Sequence, residues 1–267
     1  MHKYLLPAAA LLAPVAVHAQ SNPMTVTPIQ FNGSYSQNFD TLASTGSTGT
    51  ILPQGFQIVE AGSNANSSYA VGTGSSNAGG SYSFGATGST ERALGSLGSG
   101  TLTPIYYGGV LTNTLSTTLT SLTFAYTGEQ WRLGNSTEDG LTFQYRVGAA
   151  GVDGVAWTSV SALAFAPLFT NGTSTGAALD GNLAINQRQL GATIAGLSLT
   201  TNQTFAFRWV DQDSTGTDQG LAIDNLTITS ATATAAVPEP ATWAMMIAGF
   251  ALVGGALRRR TTRGALA

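Results

Sequence analysis

Apolar and polar residues alternate in short runs along most of this chain, and turn-forming residues separate the runs. In Leu141–Val147 every second residue is apolar and the residues between them are polar, while Thr204–Val210 places three aromatic side chains on one face. A period of two residues is typical of a β-strand with one buried and one solvated face. The same reasoning predicts seven further strands: Gly55–Glu60, Ser67–Val71, Ser81–Gly85, Tyr106–Thr112, Leu119–Tyr126, Thr193–Leu199 and Gly220–Thr229.

The connections between these runs are rich in Gly, Ser and Asn, and no segment between the two ends of the chain keeps a helical period over ten residues. Asn64–Gly80, apart from one short strand, and Gly95–Gly100 are predicted as loops. Many short strands with such connections predict an all-β fold, a two-sheet antiparallel jelly-roll sandwich, over residues 20–229. Trp131 and Trp209 lie in predicted strands whose buried face needs filling, so we expect both in the core.

Residues 1–19 are predicted to form a secretory signal peptide with a helical apolar segment. Lys3 supplies positive charge, Leu5–Val17 is apolar, and Val17-His18-Ala19 is a small-x-small cleavage site before Gln20. An uncleaved N-terminal anchor is the alternative, and the two prolines in the apolar segment disfavour it. A removable signal predicts export through the Sec translocon and cleavage by signal peptidase.

The C-terminal region has three parts in a fixed order. Pro238-Glu239-Pro240 is a stiff tripeptide, because both prolines fix φ and neither donates a backbone hydrogen bond. Residues 241–257 carry no charge and are predicted as a transmembrane helix at the short end of the length that spans a bilayer. Arg258-Arg259-Arg260 begins a basic tail, residues 258–263, of the kind that is held on the cytoplasmic side.

This order, together with Trp243, resembles the PEP-CTERM sorting signal of Gram-negative bacteria, in its Pro-Glu-Pro-x-x-Trp-Ala subclass. The resemblance implies that residues 237–267 are recognised by an exosortase, a membrane-embedded, transpeptidase-like cysteine enzyme that cuts at the tripeptide and passes the protein outward. Residues 230–236 form a small-residue linker suited to presenting the tripeptide. The alternative is a plain anchor that stays in the inner membrane, although such an anchor has no need of the tripeptide.

Charge and composition exclude several functions for the segment between the two end signals. Residues 20–236 contain five basic and twelve acidic residues, a formal net charge of −7, and no lysine. Such an acidic surface does not bind nucleic acid through a basic patch. The chain has no cysteine, and its two histidines, His2 and His18, lie in the predicted signal peptide. Disulfides, thiol catalysis, Ser-His-Asp chemistry and histidine-ligated zinc are therefore excluded from the exported part.

An acidic loop gives the first candidate binding site. Asp211, Asp213, Asp218 and Asp224 lie within fourteen residues of one another. A calcium ion binds about six to eight oxygens, and carboxylates and backbone carbonyls can supply them. The spacing departs from an EF-hand, and a hairpin loop with turn-forming aspartates and no ion is the alternative interpretation. Asp224 can equally accept backbone N–H groups from an adjacent loop.

Aromatic and acidic residues give two further candidates. Tyr107 and Trp157 are the candidates for an exposed ring that stacks on a sugar, and a structural role without a ligand is the alternative. Glu129, Glu138 and Asp139 lie near aromatic residues in the sequence, and a glycosidase needs only two carboxyl groups at a fixed separation. The competing interpretation of these acidic residues is that they are solvated or cap loops at the ends of strands.

Four segments, in chain order, resemble a lectin-like sandwich domain of exported bacterial proteins: Phe39–Leu42, Tyr126–Arg132, Phe207–Asp211 and Gly220–Asn225. The resemblance implies a domain that packs, binds or displays, and it carries over no enzymatic activity. We therefore expect an exported, non-enzymatic β-sandwich protein at the outer surface or in the extracellular matrix of a Gram-negative bacterium, linked to exopolysaccharide or biofilm. A calcium-dependent carbohydrate-binding module is the alternative, and a glycosidase is the third interpretation.

Overall fold

The structure, a computed structural model, describes residues 26–231 and 245–253. The chain divides into two compact units, Met1–Ala231 and Thr232–Ala267. The predicted signal peptide and the sorting tripeptide lie outside the described residues.

Strands dominate the described part of the first unit. Two short 3-10 helices, Ser161–Leu163 and Ala184–Asn186, interrupt them. The strands are β1 Ile29–Phe31, β2 Ser34–Gln37, β3 Thr48–Gly49, β4 Phe56–Glu60, β5 Tyr69–Gly72, β6 Gly80–Phe84, β7 Ala93–Leu97, β8 Ile105–Asn113, β9 Leu119–Leu133, β10 Thr142–Val147, β11 Thr158–Ser159, β12 Ala177–Ala178, β13 Gln187–Leu199, β14 Thr204–Asp211 and β15 Gly220–Ser230.

These strands form two sheets, and the expectation of a mostly β fold is confirmed. Sheet A has the order β1-β8-β14-β10-β11, and β4 also pairs with β8. Sheet B has the order β12-β9-β15-β7-β6-β5-β3, in which β13 also pairs with β9 and β2 with β15. The two long strands β9 and β15 therefore lie side by side in sheet B, where each pairs with three partners.

The two sheets pack face to face around one main core. Phe124 of β9 contacts both Phe143 of β10 and Phe207 of β14 edge to face, with ring centres 5.2 Å apart in each pair. Tyr126 of β9 likewise lies 5.1 Å from Trp209 of β14. Because β9 belongs to sheet B and the other two strands to sheet A, these rings fill the space between the sheets, as expected for a β-sandwich. The predicted core position of Trp209 is confirmed.

A second apolar cluster covers the opposite, outer face of sheet B. Along β15, Leu221 and Ile223 point into the main core, while Ala222 between them packs in the second cluster with Trp131. The Trp131 ring stacks on Phe84 with ring centres 6.0 Å apart and is buried, so its predicted core position is also confirmed. Sheet B is thus buried on both faces in this region.

Two predicted features differ from the structure. The sheets are not purely antiparallel, because β1 runs parallel to β8 and β5 runs parallel to β6. The Gly/Ser/Asn-rich connection 73–79 carries the chain back, so that β6 starts beside β5 in the same direction. The prediction of a loop over Gly95–Gly100 is wrong for its first three residues, because Gly95–Leu97 are the last three residues of strand β7. A Cβ atom on Gly95 would lie 2.3 Å from the Leu221 carbonyl oxygen, so the glycine serves close packing.

The second unit is described only over residues 245–253, which are helical. These nine residues fall inside the predicted transmembrane segment 241–257, whose remaining residues lie outside the described ones. Within residues 26–231 and 245–253, no helix has both the length and the apolar character needed to span a bilayer.

Candidate functional site

The four aspartates that were predicted to bind calcium occupy three different environments. Asp211 ends strand β14 and is fully buried, Asp213 and Asp218 border a pocket in the following loop, and Asp224 lies in the middle of β15. Within the described part of the chain, three acidic residues have carboxylate oxygens that all lie within 4.8 Å of one another, and they are Glu91, Glu129 and Asp224. Of the predicted ligands, the structure therefore places Asp224 alone in a cluster of this kind.

Asp211 lies in an environment that disfavours a charge. Neither carboxylate oxygen has a hydrogen-bond partner, although both are buried. Burial, and after it the nearby carboxylate of Asp139, raises the pKa of Asp211 well above its ordinary value. The protonated form of Asp211 is the one that this surrounding favours.

Asp213 and Asp218 line an open pocket of about 270 Å³. The Asp218 carboxylate accepts a hydrogen bond from the Ser214 backbone N–H, at 3.2 Å to Oδ1. Burial, followed by the charge of Asp139, raises the pKa of Asp218 to about 7. A Cβ atom on Gly98 would lie 2.5 Å from Asp218 Oδ2, so the loop from β7 can approach this carboxylate because position 98 is glycine.

Arg132, near the end of β9, also lines this pocket. Its Nη1 donates to the carbonyl of Gly74 at 3.0 Å, and its Nη2 donates to that of Thr175 at 2.6 Å. Its Nε is buried and has no hydrogen-bond partner. The pocket therefore combines a guanidinium group, two carboxylates and several neutral polar side chains: Asn77, Ser99, Ser174 and Thr217.

The expectation of an exposed ring at Tyr107 is wrong. Tyr107 lies on the core side of β8, is fully buried and stacks on Trp209 with ring centres 6.2 Å apart. The alternation of β8 puts its neighbour Tyr106 on the other, outer face of sheet A. There the guanidinium carbon of Arg208 lies 4.2 Å from the centre of the Tyr106 ring and 4.1 Å from that of Trp157.

Trp157 is half-buried on this outer face, so part of its surface remains open to solvent. It packs beside the small apolar cluster of Val110, Ala149 and Ala206. Besides Arg208, the guanidinium carbon of Arg146 lies 5.7 Å from the ring centre. The Trp157 ring therefore contacts two arginines. A sugar could stack only on the part of the ring that these arginines leave exposed to solvent.

The three acidic residues considered for glycoside hydrolysis lie in different environments, and each has a different role in the fold. Asp139 accepts the backbone N–H groups of Gly140 at 2.7 Å and Gln219 at 2.5 Å, and thereby holds two loop segments together. Burial raises the pKa of Asp139 to about 6. Glu138 is exposed, and Glu129 lies on the outer face of sheet B.

Two residues with site-like surroundings were not singled out in the sequence. Glu91 lies in the connection between β6 and β7, and only the pairing of distant strands brings it to Glu129 and Asp224. Arg132 follows a run of alternating residues and reads as an ordinary solvated strand residue. For the cluster of Glu91, Glu129 and Asp224, the sequence contains one weak indication, which is that Glu129 and Trp131 share one face of a strand. For Arg132 the sequence contains no such indication.

Residues 236–260 match the PEP-CTERM protein-sorting motif. The match includes Pro238-Glu239-Pro240, Trp243 and Arg258-Arg259-Arg260, which confirms the resemblance predicted from the sequence, although these residues lie outside the described ones. The motif indicates an exported protein that is processed at a membrane. No match was found among curated proteins.

Several solved structures resemble the fold weakly. The enzymatically active domain of bacteriophage CBA120 tailspike protein 4 is 8% identical, with a TM-score of 0.34, over 66% of this chain and 19% of that chain. TmCBM61, solved in complex with β-1,4-galactotriose, is 8% identical over 76% of this chain and 91% of its own, with a TM-score of 0.28. The N-terminal CBM22 tandem domain from Paenibacillus barcinonensis Xyn10C is 10% identical over 80% of this chain and 49% of its own, with a TM-score of 0.34. Since these TM-scores are this low, none of the likenesses bears on function.

Proposed function

We propose that this protein is a non-enzymatic jelly-roll sandwich that an exosortase-type system delivers to the outer surface or extracellular matrix of a Gram-negative bacterium. The Sec translocon exports the chain, signal peptidase removes residues 1–19, and residues 241–257 hold it transiently in the inner membrane. The exosortase then cuts at Pro238-Glu239-Pro240 and releases the chain without the residues after Pro240, and the released protein associates with exopolysaccharide or biofilm matrix.

The match of residues 236–260 to the sorting motif carries this proposal. A plain anchor requires only an apolar segment of sufficient length, so the stiff tripeptide before it needs another explanation. The sandwich in residues 26–231 belongs to a compact unit separate from Thr232–Ala267, which supports removal of the tail without loss of the fold. Its acidic charge, −7 over residues 20–236, fits a protein without a nucleic-acid partner.

Fractionation and intact mass of the protein expressed in its own host test the proposal. The test variant changes Pro238-Glu239-Pro240 to three alanines, and the matched control changes Thr232 and Thr234 of the linker to alanine. We expect wild type and control at the surface or in the medium without the residues after Pro240, and the test variant at full length in the inner membrane. Full-length wild type that stays in the membrane would make the tail a plain anchor and overturn the proposal.

A second proposed function is carbohydrate binding at the pocket beside Asp213 and Asp218. What favours it is the lining of the pocket, which combines the Arg132 guanidinium group with the carboxylates of Asp213 and Asp218. Neutral sugars present hydroxyl groups that both donate and accept, and such a mixed lining suits them. A calcium ion held by Asp213 and Asp218 belongs to this second proposal, as does a sugar-stacking role for Trp157.

Calorimetric titration of the purified chain with oligosaccharides from the host's own exopolysaccharide tests the second function. We expect Asp218→Asn to weaken binding at least about tenfold, since a buried polar partner is lost, and the control Asp153→Asn to leave it unchanged. Loss of binding in Trp157→Ala instead would move the sugar to the outer face of sheet A. Repeating the titration in a chelator decides whether calcium takes part, and no binding by wild type would overturn this second function alone.

A further inference from the structure

Three carboxylates meet on the outer face of sheet B, away from the pocket described above. Glu129 comes from β9, Asp224 from β15 and Glu91 from the connection between β6 and β7. One carboxylate oxygen of each lies within 4.8 Å of those of the other two. Glu129 and Asp224 are buried, with 2% and 3% of their surface exposed, and Glu91 is half-buried.

Strand register and a β-bulge bring these residues together. Ala222 lies opposite Glu129 and Asp224 lies opposite Thr127, so Glu129 and Asp224 are diagonal neighbours on the outer face. One extra residue then follows in β15, and Asn225 adopts a left-handed conformation with φ of 50°. A bulge re-aims the side chains beside it, and here it lies where β15 exchanges its partner β7 for β2.

Neutral side chains donate hydrogen bonds to the cluster: Asn225 Nδ2 donates to Asp224 Oδ2 at 2.5 Å, and the Asn182 side chain donates to Glu91 Oε2. Asp224 Oδ1 is buried without any hydrogen-bond partner, and Glu129 accepts one hydrogen bond, from Trp131 Nε1 at 2.8 Å. Arg92 follows Glu91 in the chain, but its Nε donates to Ser83 Oγ at 2.8 Å. Its Nη2 donates to the Ser83 and Gly72 carbonyls.

Burial increases the demand for a cation. Glu129 and Asp224 are almost entirely removed from solvent, so their carboxylates are poorly solvated unless a positive ion contacts them.

We propose that Glu91, Glu129 and Asp224 form a calcium-binding site. All three ligands are hard oxygen donors, and the exported part of the chain has neither histidine nor cysteine to select a softer metal. Because Ca–O distances are about 2.3–2.6 Å, oxygens on opposite sides of one calcium ion lie up to about 5 Å apart, so one ion can contact all three. Water and backbone carbonyls complete the coordination of such an ion.

The ion would fasten three parts of the fold to one another. Besides β9 and β15, it would hold the β6–β7 connection through Glu91, whose Oε2 also accepts a hydrogen bond from the Asn182 side chain. Gly181, next to Asn182, packs closely against Trp131 on the outer face of sheet B. The site therefore stabilises the sandwich itself, and it is independent of the sorting tail and of the proposed saccharide pocket.

The test measures thermal unfolding of the purified full chain in EDTA, in CaCl₂ and in MgCl₂, together with Tb³⁺ luminescence excited through tryptophan. Trp131 contacts Glu129 directly and so is close enough to sensitise a bound Tb³⁺ ion. We expect calcium to raise the melting temperature by roughly 5–10 °C at about a hundredfold excess over its dissociation constant, and magnesium to raise it less. Tb³⁺ emission should appear and calcium should displace it.

Glu129→Gln and Asp224→Asn should abolish both the calcium response and the Tb³⁺ emission. Because each change removes a buried negative charge, each should also raise the melting temperature in EDTA, which distinguishes a lost site from a damaged fold. The matched control Asp213→Asn should respond like wild type. A wild type without any calcium response, or a response that persists in Glu129→Gln and disappears in Asp213→Asn, would overturn the proposal.

Discussion

The indole Nε1 of Trp131 donates a hydrogen bond of 2.8 Å to Glu129 Oε2, two residues away on the same face of β9. The contact joins the second apolar cluster, to which Trp131 belongs, to the acidic cluster that contains Glu129. Because an apolar cluster excludes water, the stability of a carboxylate beside it depends strongly on the few hydrogen bonds that the carboxylate accepts from the protein. On the buried outer face of sheet B, the packing of Trp131 and the charge of Glu129 therefore depend on each other.

Trp131→Phe should lower the free energy of unfolding by about 1–3 kcal/mol in a chelator, because a buried carboxylate loses its donor while the stacking on Phe84 is kept. Denaturant unfolding checks this. In the Glu129→Gln background the same change should cost less, since an amide is cheaper to leave unsatisfied than a carboxylate. Equal costs in both backgrounds would show that the hydrogen bond does not matter to stability.

Gly181 presses its backbone against the same tryptophan. A Cβ atom at this position would lie 2.3 Å from Trp131 Nε1 and 2.5 Å from Cε2, and the buried ring has no room to yield. Gly181→Ala should therefore destabilise the sandwich by about 1–3 kcal/mol through overpacking. Gly191→Ala is the matched control, because its Cβ atom would meet its nearest neighbour at 3.4 Å and should be tolerated. Similar melting temperatures of the two variants would contradict the account of this contact.

Strands whose residues alternate in polarity were the predictable part of the fold, although the predicted solvated face of Thr204–Val210 is wrong, because β14 is buried on both faces. Leu141–Val147 and Thr204–Val210 alternate clearly, and the structure has β10 and β14 there. The prediction for Leu119–Tyr126 stopped short of Leu133, where β9 ends, because the last seven residues are almost all buried on both faces. The sequence shows no alternation where polar residues such as Arg132 are buried on the outer face beneath other segments.

The acidic cluster could not be predicted from sequence spacing. Glu91 and Glu129 are far apart in the chain, and Asp224 is farther still. Their meeting depends on the register of β15 against β9 and on the bulge at Asn225, which are properties of strand pairing rather than of local pattern. The acidic loop, by contrast, could be recognised in the sequence. Its aspartates do not form one site, because the Asp211 side chain is buried in the core while Asp213 is exposed.

Burial of Asp211 should make the stability of the sandwich depend on pH. Its pKa is raised in the folded protein, so the folded state retains a proton that the unfolded chain releases. The stabilisation is complete below the ordinary pKa of an aspartate and is lost as the pH rises toward the folded value, by about 1.4 kcal/mol per unit. Thermal unfolding in a chelator between pH 5 and pH 9 should show this decline.

Asp211→Asn removes the titration, so its melting temperature should fall less than that of wild type over the same pH range. Glu138→Gln is the control, because this glutamate is exposed and should leave the profile unchanged. The decline will not vanish in Asp211→Asn, since the raised pKa values of Asp139 and Asp218 act in the same direction. Parallel profiles for wild type and Asp211→Asn would contradict the prediction.

Arg208 and Trp157 should be energetically coupled on the outer face of sheet A. The guanidinium carbon lies 4.1 Å from the ring centre, and Arg208 Nε also donates to Gln144 Oε1 at 2.9 Å. A cation–π pair shielded from solvent contributes about 0.5–2 kcal/mol, so a double-mutant cycle of Arg208→Gln and Trp157→Ala should return a coupling of that size. Arg146, whose guanidinium carbon is 5.7 Å from the ring centre, gives the control cycle and a smaller coupling. Equal couplings in the two cycles would mean that Trp157 packs on the sheet without selecting Arg208.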